Sequence, residues 1–438
     1  MKKILFILVN PLSHDETFGI DNFVKGLSDD YEFYCLAPLF PATYLLNHQN
    51  IKTTTLASSI DMEHKEINDI KSFDDWKKYY DSIKPDVVFL VDPEFIITAE
   101  SNLVFKRTWL SIIECPIGIL EYHDRLAVTK KGYLTLKNAD KLPAKVHTLK
   151  IPFTRVIACP PNRPVLSLTT EKAPLYLKNE EPFSNLAMYS IKSSLYEELR
   201  CSDDNKIVML FFSHQAMLEG IIANMSTGYH YKAVIETLVH YFEQVGAPIQ
   251  LLVFNVPKIE EIKSEKVHIH YFPSLSIEGY KHWIKAADLL LVESITHPAL
   301  IDAAAINVPA VVLANSVTFK EKDGQKILVS EMGKIPTKFV WDKMNELLNI
   351  APEVLINYVS FPHKTTRWTE KKFISDNFAY YFADLFNEPK TLSLLNELLM
   401  DTKAIENTKK LLTEYLLNST ELTQTAEDIV KTILSAQR

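Results

Sequence analysis

Asp302 is the residue of this 438-residue chain whose setting points most directly to chemistry, a lone carboxylate in the apolar run LIDAAAI. It falls about one turn into a short expected helix, near the carboxyl end of a buried strand, where open α/β sheets bind ligands. Two histidine-carboxylate pairs also follow expected strands: His14-Asp15 after KILFILV and His123-Asp124 after CPIGILEY. Histidine and carboxylate groups near neutral pKa can take a proton from an attacking hydroxyl. The plainer reading makes Asp15 a helix cap and His123 a satisfied strand-end residue. Asp92 and Glu94 close a third strand, but Asp-Pro is more often turn chemistry. His268 and His270 alternate in VHIHYF and share a strand face; with no third ligand beside them, a half-exposed face is expected and not a metal site.

The element that must position Asp302 is residues 284–313, IKAADLLLVESITHPALIDAAAINVPAVVL. Its two Val- and Leu-rich runs, LLLV and AVVL, have the pattern of strands covered on both faces of a parallel sheet. Thr296 or Ser294 can cap the helix between them, with Pro298 in its first turn, while Asn307 and Pro309 end it. Strands and helices alternate on either side of this stretch. KILFILV, YEFYCLA, VVFLV and CPIGILEY are strands of a first series, and IVMLFFS, IQLLVFN and VHIHYFP belong to a second. A helix is expected near residues 101–113, and residues 130–186 read as irregular. Beyond about residue 366 the chain becomes mostly helical, and FAYYF at 378–382 is expected to be a helix packing on one domain.

The fold class is therefore α/β: two facing Rossmann-like, doubly wound domains with a helical C-terminal tail. The boundaries are placed at 1–195, 196–365 and 366–438. A net charge of -8 argues against a nucleic-acid groove, while leaving room for a local basic cleft that takes a phosphate. Four dispersed cysteines fit neither a disulfide framework nor a structural zinc site, and suit a reducing compartment. The apolar run after Met1 is too short for a signal peptide, and nothing approaches the length of a membrane span, so a cytoplasmic protein is expected. The single Gly19 after the first strand gives no GxGxxG, which makes a dinucleotide cofactor improbable there.

Residues 206–330 resemble the donor-binding domain of the GT-B glycosyltransferases, from LFFSH through LLVFN, VHIHYFP and ADLLLVES to HPALIDAAAINVPAVVL. In that family an acidic residue stands seven positions before the proline of G-[IV]-P, as Asp302 does before Pro309. The family usually has Glu at that acid and Gly where Asn307 stands here. The resemblance implies that Asp302 holds the ribose of a sugar nucleotide, since a carboxylate can accept from both vicinal hydroxyls. Ser294, Thr296 and His297 line the same turn, where backbone N–H groups suit a diphosphate. It also implies that Ser213 and His214 face the pyrophosphate, that Phe272 or Tyr280 stacks on the base, and that His123 faces the donor sugar. Asp323-Gly324-Gln325 echoes an acid-glutamine pair that contacts the sugar. The acidic pair of the retaining families is not carried over, because Ser294 stands where the second acid would be and Glu293 is out of register by one.

The expected activity is transfer of a sugar from a nucleotide-diphosphate sugar to an acceptor hydroxyl or amine. It needs neither metal nor bound cofactor, and His14 or Asp15 serves as the base of an inverting reaction. Donor binds mainly to the second domain and acceptor to the first, with closure excluding water. The expected partners are the nucleotide sugar and an acceptor, with no nucleic acid and no membrane span, in a chain compatible with a homo-oligomer. Two alternatives share the fold: a UDP-sugar 2-epimerase, and a catalytically silent partner or scaffold protein.

Overall fold

The structure is a computed structural model that describes residues 1–10, 15–45, 50–57, 69–91, 93–98, 104–121, 126–136, 147–157, 175–177, 185–212, 227–256, 262–272, 277–293, 297, 299–314, 317–322, 325–330, 338–339, 341–343, 380–385, 387–420 and 423–435. The backbone divides into two compact units, residues 1–181 with 418–438, and residues 182–417.

The first unit begins with β1 (Lys2–Leu8), α1 (Asp15–Lys25), β2 (Tyr31–Pro38), α2 (Leu39–Leu45) and β3 (Ile51–Leu56). It continues through α3 (Phe73–Ile83), β4 (Val87–Val91), α4 (Glu94–Thr98), a 3-10 helix (Arg107–Ile112) and β5 (Ile117–Glu121). The hairpin β6 (Leu126–Val128) and β7 (Leu134–Leu136) follows, then β8 (Thr154–Ile157) and β9 (Leu175–Leu177). The helix expected over residues 101–113 is thus shorter and of tighter type, and the stretch read as irregular supplies β8 and β9 of the main sheet.

The second unit contains α5 (Asn185–Leu199), β10 (Lys206–Phe211), α6 (Thr227–Phe242), β11 (Ile249–Phe254), β12 (Val267–Phe272), α7 (Ile277–Ile284), β13 (Leu289–Val292), α8 (Ala299–Ala305) and β14 (Ala310–Ala314). A hairpin of β15 (Val317–Lys322) and β16 (Gln325–Ser330) forms its own two-stranded sheet. Then come β17 (Tyr381–Asp384), α9 (Glu388–Met400), α10 (Thr402–Thr420), β18 (Thr423–Gln424) and α11 (Ala426–Ser435). The helical tail is shared out: α9 packs on α6, and α11 returns to β4 and β9 of the first unit.

Both main sheets are parallel. The first has eight strands in the order β18-β9-β8-β5-β4-β1-β2-β3, and the second six, β12-β11-β10-β13-β14-β17. Each contains the doubly wound order 3-2-1-4-5, whose direction reverses beside its central strand; that switch point opens a crevice at the carboxyl ends. One device closes both switch points from below. Asp86 accepts from Lys3 N (2.7 Å) and Asp288 from Ile207 N (2.9 Å), and each returns its own N–H to the same residue's carbonyl at 2.8 Å. Asp288 also accepts from Lys192 Nζ at 2.6 Å, which ties α5 to the second sheet.

Apolar faces settle which helices cover which sheet. Ile429, Val430 and Ile433 are buried on α11 against the cluster that holds Phe6, Phe23 and Phe89. Each such side chain contributes roughly 1.5–3 kcal/mol on burial, enough to fix the helix to the sheet. Trp76 and Tyr80 of α3 fill the opposite face with Phe105 and Trp109, and α6 with α9 covers one face of the second sheet. FAYYF is not a helix where the structure describes it: Tyr381–Asp384 is an edge strand parallel to β14. Aromatic residues favour strands, and a free sheet edge overrode the helical reading. No helix among the described residues is long and apolar enough to cross a membrane.

Candidate functional site

The candidate site is at the switch point of the second sheet. β10, β11 and β12 each end on phenylalanine, and the parallel register sets Phe211 opposite Phe254 and Phe254 opposite Phe272. Side chains alternate across a strand, so all three rings fall on one face. They form a ladder, with Phe211 stacked on Phe254 at 4.5 Å and 13°, and Phe254 on Phe272 at 5.0 Å and 15°. Phe211 and Phe254 are buried, whereas Phe272 is only half-buried at the end of the row. Neither Phe211 nor Phe254 stood out in the sequence, although the endings IVMLF, IQLLVF and VHIHYF repeat one signal: an aromatic at the last position of three adjacent strands.

α7 lies across this ladder. Trp283 packs on Phe272 at 5.2 Å, and Tyr280 meets Phe211 edge-on at 5.6 Å and 72°. Tyr280 is buried, so its ring faces are enclosed by protein. Its hydroxyl reaches 22 residues along the chain and donates to Asp302 Oδ2 at 2.7 Å. The carboxylate on α8 is itself half-buried and is held in place by that phenol.

α8 takes the form expected of it. Asn307 adopts the left-handed conformation at φ 59° that ends the helix, and its side-chain oxygen accepts from Thr413 Oγ1 of α10 at 3.1 Å. Before the helix, buried His297 accepts the Ala299 N–H on Nδ1 at 3.2 Å, and its ring lies 5.4 Å from Phe211. Occupation of Nδ1 as an acceptor puts the hydrogen of the neutral ring on Nε2.

The structure therefore brings Phe272, Tyr280, His297 and Asp302 together around one aromatic row. Ser213, His214, Ser294, Thr296, His123 and His14 lie outside the described residues, as does Asp92. Asp15 opens α1, and its side chain is outside the description. Of the acid-glutamine echo, Gln325 begins β16 and pairs with Lys322 across the hairpin. Asp323 and Gly324 lie outside the described residues.

Lower on the ladder face, His270 Nε2 is 2.8 Å from Gln250 Oε1, and Gln250 Nε2 donates to Asn205 Oδ1 at 2.8 Å. Neighbouring His268 is exposed. Burial, with a smaller contribution from the charge of His268, holds His270 below its ordinary value of 6.5. In the window below 6.5 the unfolded chain therefore binds a proton that the folded chain refuses, so stability falls as pH drops through it, at most about 1.4 kcal/mol per pH unit. Denaturant unfolding at pH 7.5 and pH 5.5 should show this loss in the native chain and a smaller loss in His270→Gln.

Two α/β units of this topology, with a polar and aromatic cluster at the second switch point, define the GT-B class of fold. Solved structures agree. The spinosyn forosaminyltransferase SpnP matches at 10% identity and TM-score 0.53 over 99% of both chains. The calicheamicin glycosyltransferase CalG4 matches at 10% and 0.52 over 99% of this chain and 98% of its own. The glycosyltransferase VinC, in complex with dTDP, matches at 8% and 0.50 over the whole of both. At such identities the likeness establishes the fold. The chain belongs to a protein family of unknown function, DUF6365, which it matches over residues 41–437. No curated protein sequence matches it.

Proposed function

We propose that the chain is a glycosyltransferase that moves a sugar from a nucleotide-diphosphate sugar to an acceptor hydroxyl or amine. The observation that carries the reading is the Tyr280–Asp302 hydrogen bond at the switch point of the second sheet. It fixes a half-buried carboxylate where a ribose can present two hydroxyls, beside an aromatic row whose less buried end, Phe272, can meet a base. The fold supports the same reading, because the neighbours SpnP, CalG4 and VinC are glycosyltransferases and VinC holds dTDP.

In this proposal Asp302 accepts from the ribose, and Ser213, His214, Ser294 and Thr296 surround the diphosphate. His297 lines the same turn. Departure of the diphosphate is stabilised by these donors and not by a divalent ion, and no bound cofactor takes part. His14 or Asp15 removes the acceptor proton in an inverting displacement, with His123 at the donor sugar.

The test is a thermal-shift panel of UDP-, GDP-, dTDP- and CMP-sugars on the full chain. A true donor at about a hundredfold its dissociation constant stabilises the fold by about 2.7 kcal/mol, which reads as a rise of several degrees. If none of the four classes raises the melting temperature, the transferase reading fails and a silent GT-B-like protein takes its place. If a UDP-sugar binds and is consumed with no acceptor present, the epimerase reading replaces it.

A further inference from the structure

The first unit carries a second concavity, a cleft of about 570 Å³ between the 3-10 helix and the segment that follows the β6–β7 hairpin. Arg107 and Ser111 come from the helix, and His147, Thr148 and Lys150 from the facing segment, over a floor that includes buried Leu110. No carboxylate is among its described lining residues. The surrounding sequence has the same bias. Residues 126–157 contain seven Lys and Arg and a single acid, Asp140, in a chain whose net charge is -8.

Both walls are pinned to the core, so the cations are held apart before any ligand arrives. Trp109 of the helix is buried against Phe105 at 5.2 Å, and its carbonyl accepts from Trp76 Nε1 at 3.1 Å. On the other wall, His147 N donates to Ile97 O at 3.0 Å, and Leu149 exchanges hydrogen bonds with Leu134 at 2.9 and 3.1 Å. Lys150 Nζ sits 5.7 Å from the centre of the Tyr133 ring, which steadies an otherwise exposed side chain. Ser111 donates its hydroxyl hydrogen to the Thr108 carbonyl at 2.7 Å, and the cationic groups lining the cleft are Arg107 and Lys150, with His147 and Thr148 beside them.

We propose that this cleft binds a phosphorylated small molecule, with its phosphate between Arg107 and Lys150 and further donors from His147 and Thr148. A guanidinium fork and a point-charge ammonium are the usual pair for such a group, and the volume is that of a small-ligand site. A nucleic acid would need an extended basic stripe, which an acidic chain with one basic cleft does not supply. The inference does not rest on the transferase reading, since Asp302 belongs to the other unit.

The test is calorimetric titration of the full chain at low salt with inorganic pyrophosphate and with a hexose 6-phosphate. Wild type and Asp302→Ala should both bind at least one probe saturably, with a dissociation constant of about 1 mM or tighter. Arg107→Gln/Lys150→Gln should bind it at least about tenfold more weakly, as expected on loss of charge-assisted hydrogen bonds. Lys150→Gln alone, at an exposed position, should weaken binding without disturbing the fold. Lys338→Gln/Lys410→Gln, which removes two exposed lysines elsewhere, should change nothing. Absence of saturable binding by wild type overturns the proposal, as does equal binding by wild type and the Arg107 and Lys150 variants.

Discussion

Arg155→Met should cost about 3–5 kcal/mol of stability, because it strands a buried carboxylate. Glu121, the last residue of β5, is 4% exposed and Arg155 on β8 is 8% exposed. Arg155 Nε lies 2.6 Å and Nη2 2.5 Å from Glu121 Oε1, while Oε2 accepts the Leu126 N–H at 3.0 Å. Both oxygens of this carboxylate are thus held by protein donors, and methionine returns none of the guanidinium's charge. The pair also fixes the chain where β5 gives way to the segment bearing His123, so its loss should loosen the end of the sheet that the proposed donor-facing histidine follows. Urea unfolding monitored by circular dichroism gives the cost. Glu121→Gln/Arg155→Met should recover much of it, since the stranded charge is then gone; a single variant as stable as the native chain would contradict the burial argument.

Gly118→Ala should destabilise by about 1–3 kcal/mol or more, the range for a core forced to take extra volume. Gly118 on β5 is the register partner of Phe89 on β4, and the Phe89 ring lies directly over it. A Cβ there would stand 2.4 Å from Phe89 Cε1 and 3.1 Å from Ile433 Cδ1. Phe89 has nowhere to go: it stacks on Phe6 at 5.5 Å and touches Phe23 at 4.7 Å, and α11 closes the face above it. The midpoint of denaturant unfolding should fall, and α11 should become more open to amide hydrogen exchange. Alanine there with unchanged stability would mean that the packing around Phe89 is looser than described.

How much of this was legible in the sequence depends on the range of the cause. Local signals were sufficient for β13, α8 and β14, because continuous apolar runs, an alanine-rich helix and an Asn-x-Pro stop leave few alternatives, and Asn307 takes the expected left-handed turn. Tyr381–Asp384 reads as helix in the sequence because a four-residue strand has too little length to show its period, and only its neighbour β14 decides it. Asp302 was legible as a carboxylate alone on an apolar helix. The role of Tyr280 was not: the GT-B resemblance implies a stacking platform for the base, and only the tertiary fold reveals an enclosed ring whose hydroxyl serves Asp302. The phenylalanine ladder was present in the sequence but invisible as a set, since it exists only once three strands are laid in register.

The Tyr280 contact also bears on the one departure from the GT-B pattern at this position. Aspartate reaches one methylene less far than the usual glutamate and has one fewer side-chain torsion to restrain. The Tyr280 hydroxyl, 2.7 Å away, restrains it further and presents a carboxylate already oriented.

The most direct test is calorimetric titration of the nucleotide sugar that stabilises the chain most into wild type, Asp302→Ala and Tyr280→Phe. Loss of two hydrogen bonds to a charged acceptor should weaken binding to Asp302→Ala by roughly a hundredfold or more, and Tyr280→Phe should fall between it and wild type, with both variants still folded. Equal affinity of wild type and Asp302→Ala would contradict the account, because the donor would then bind elsewhere than at the switch point of the second sheet.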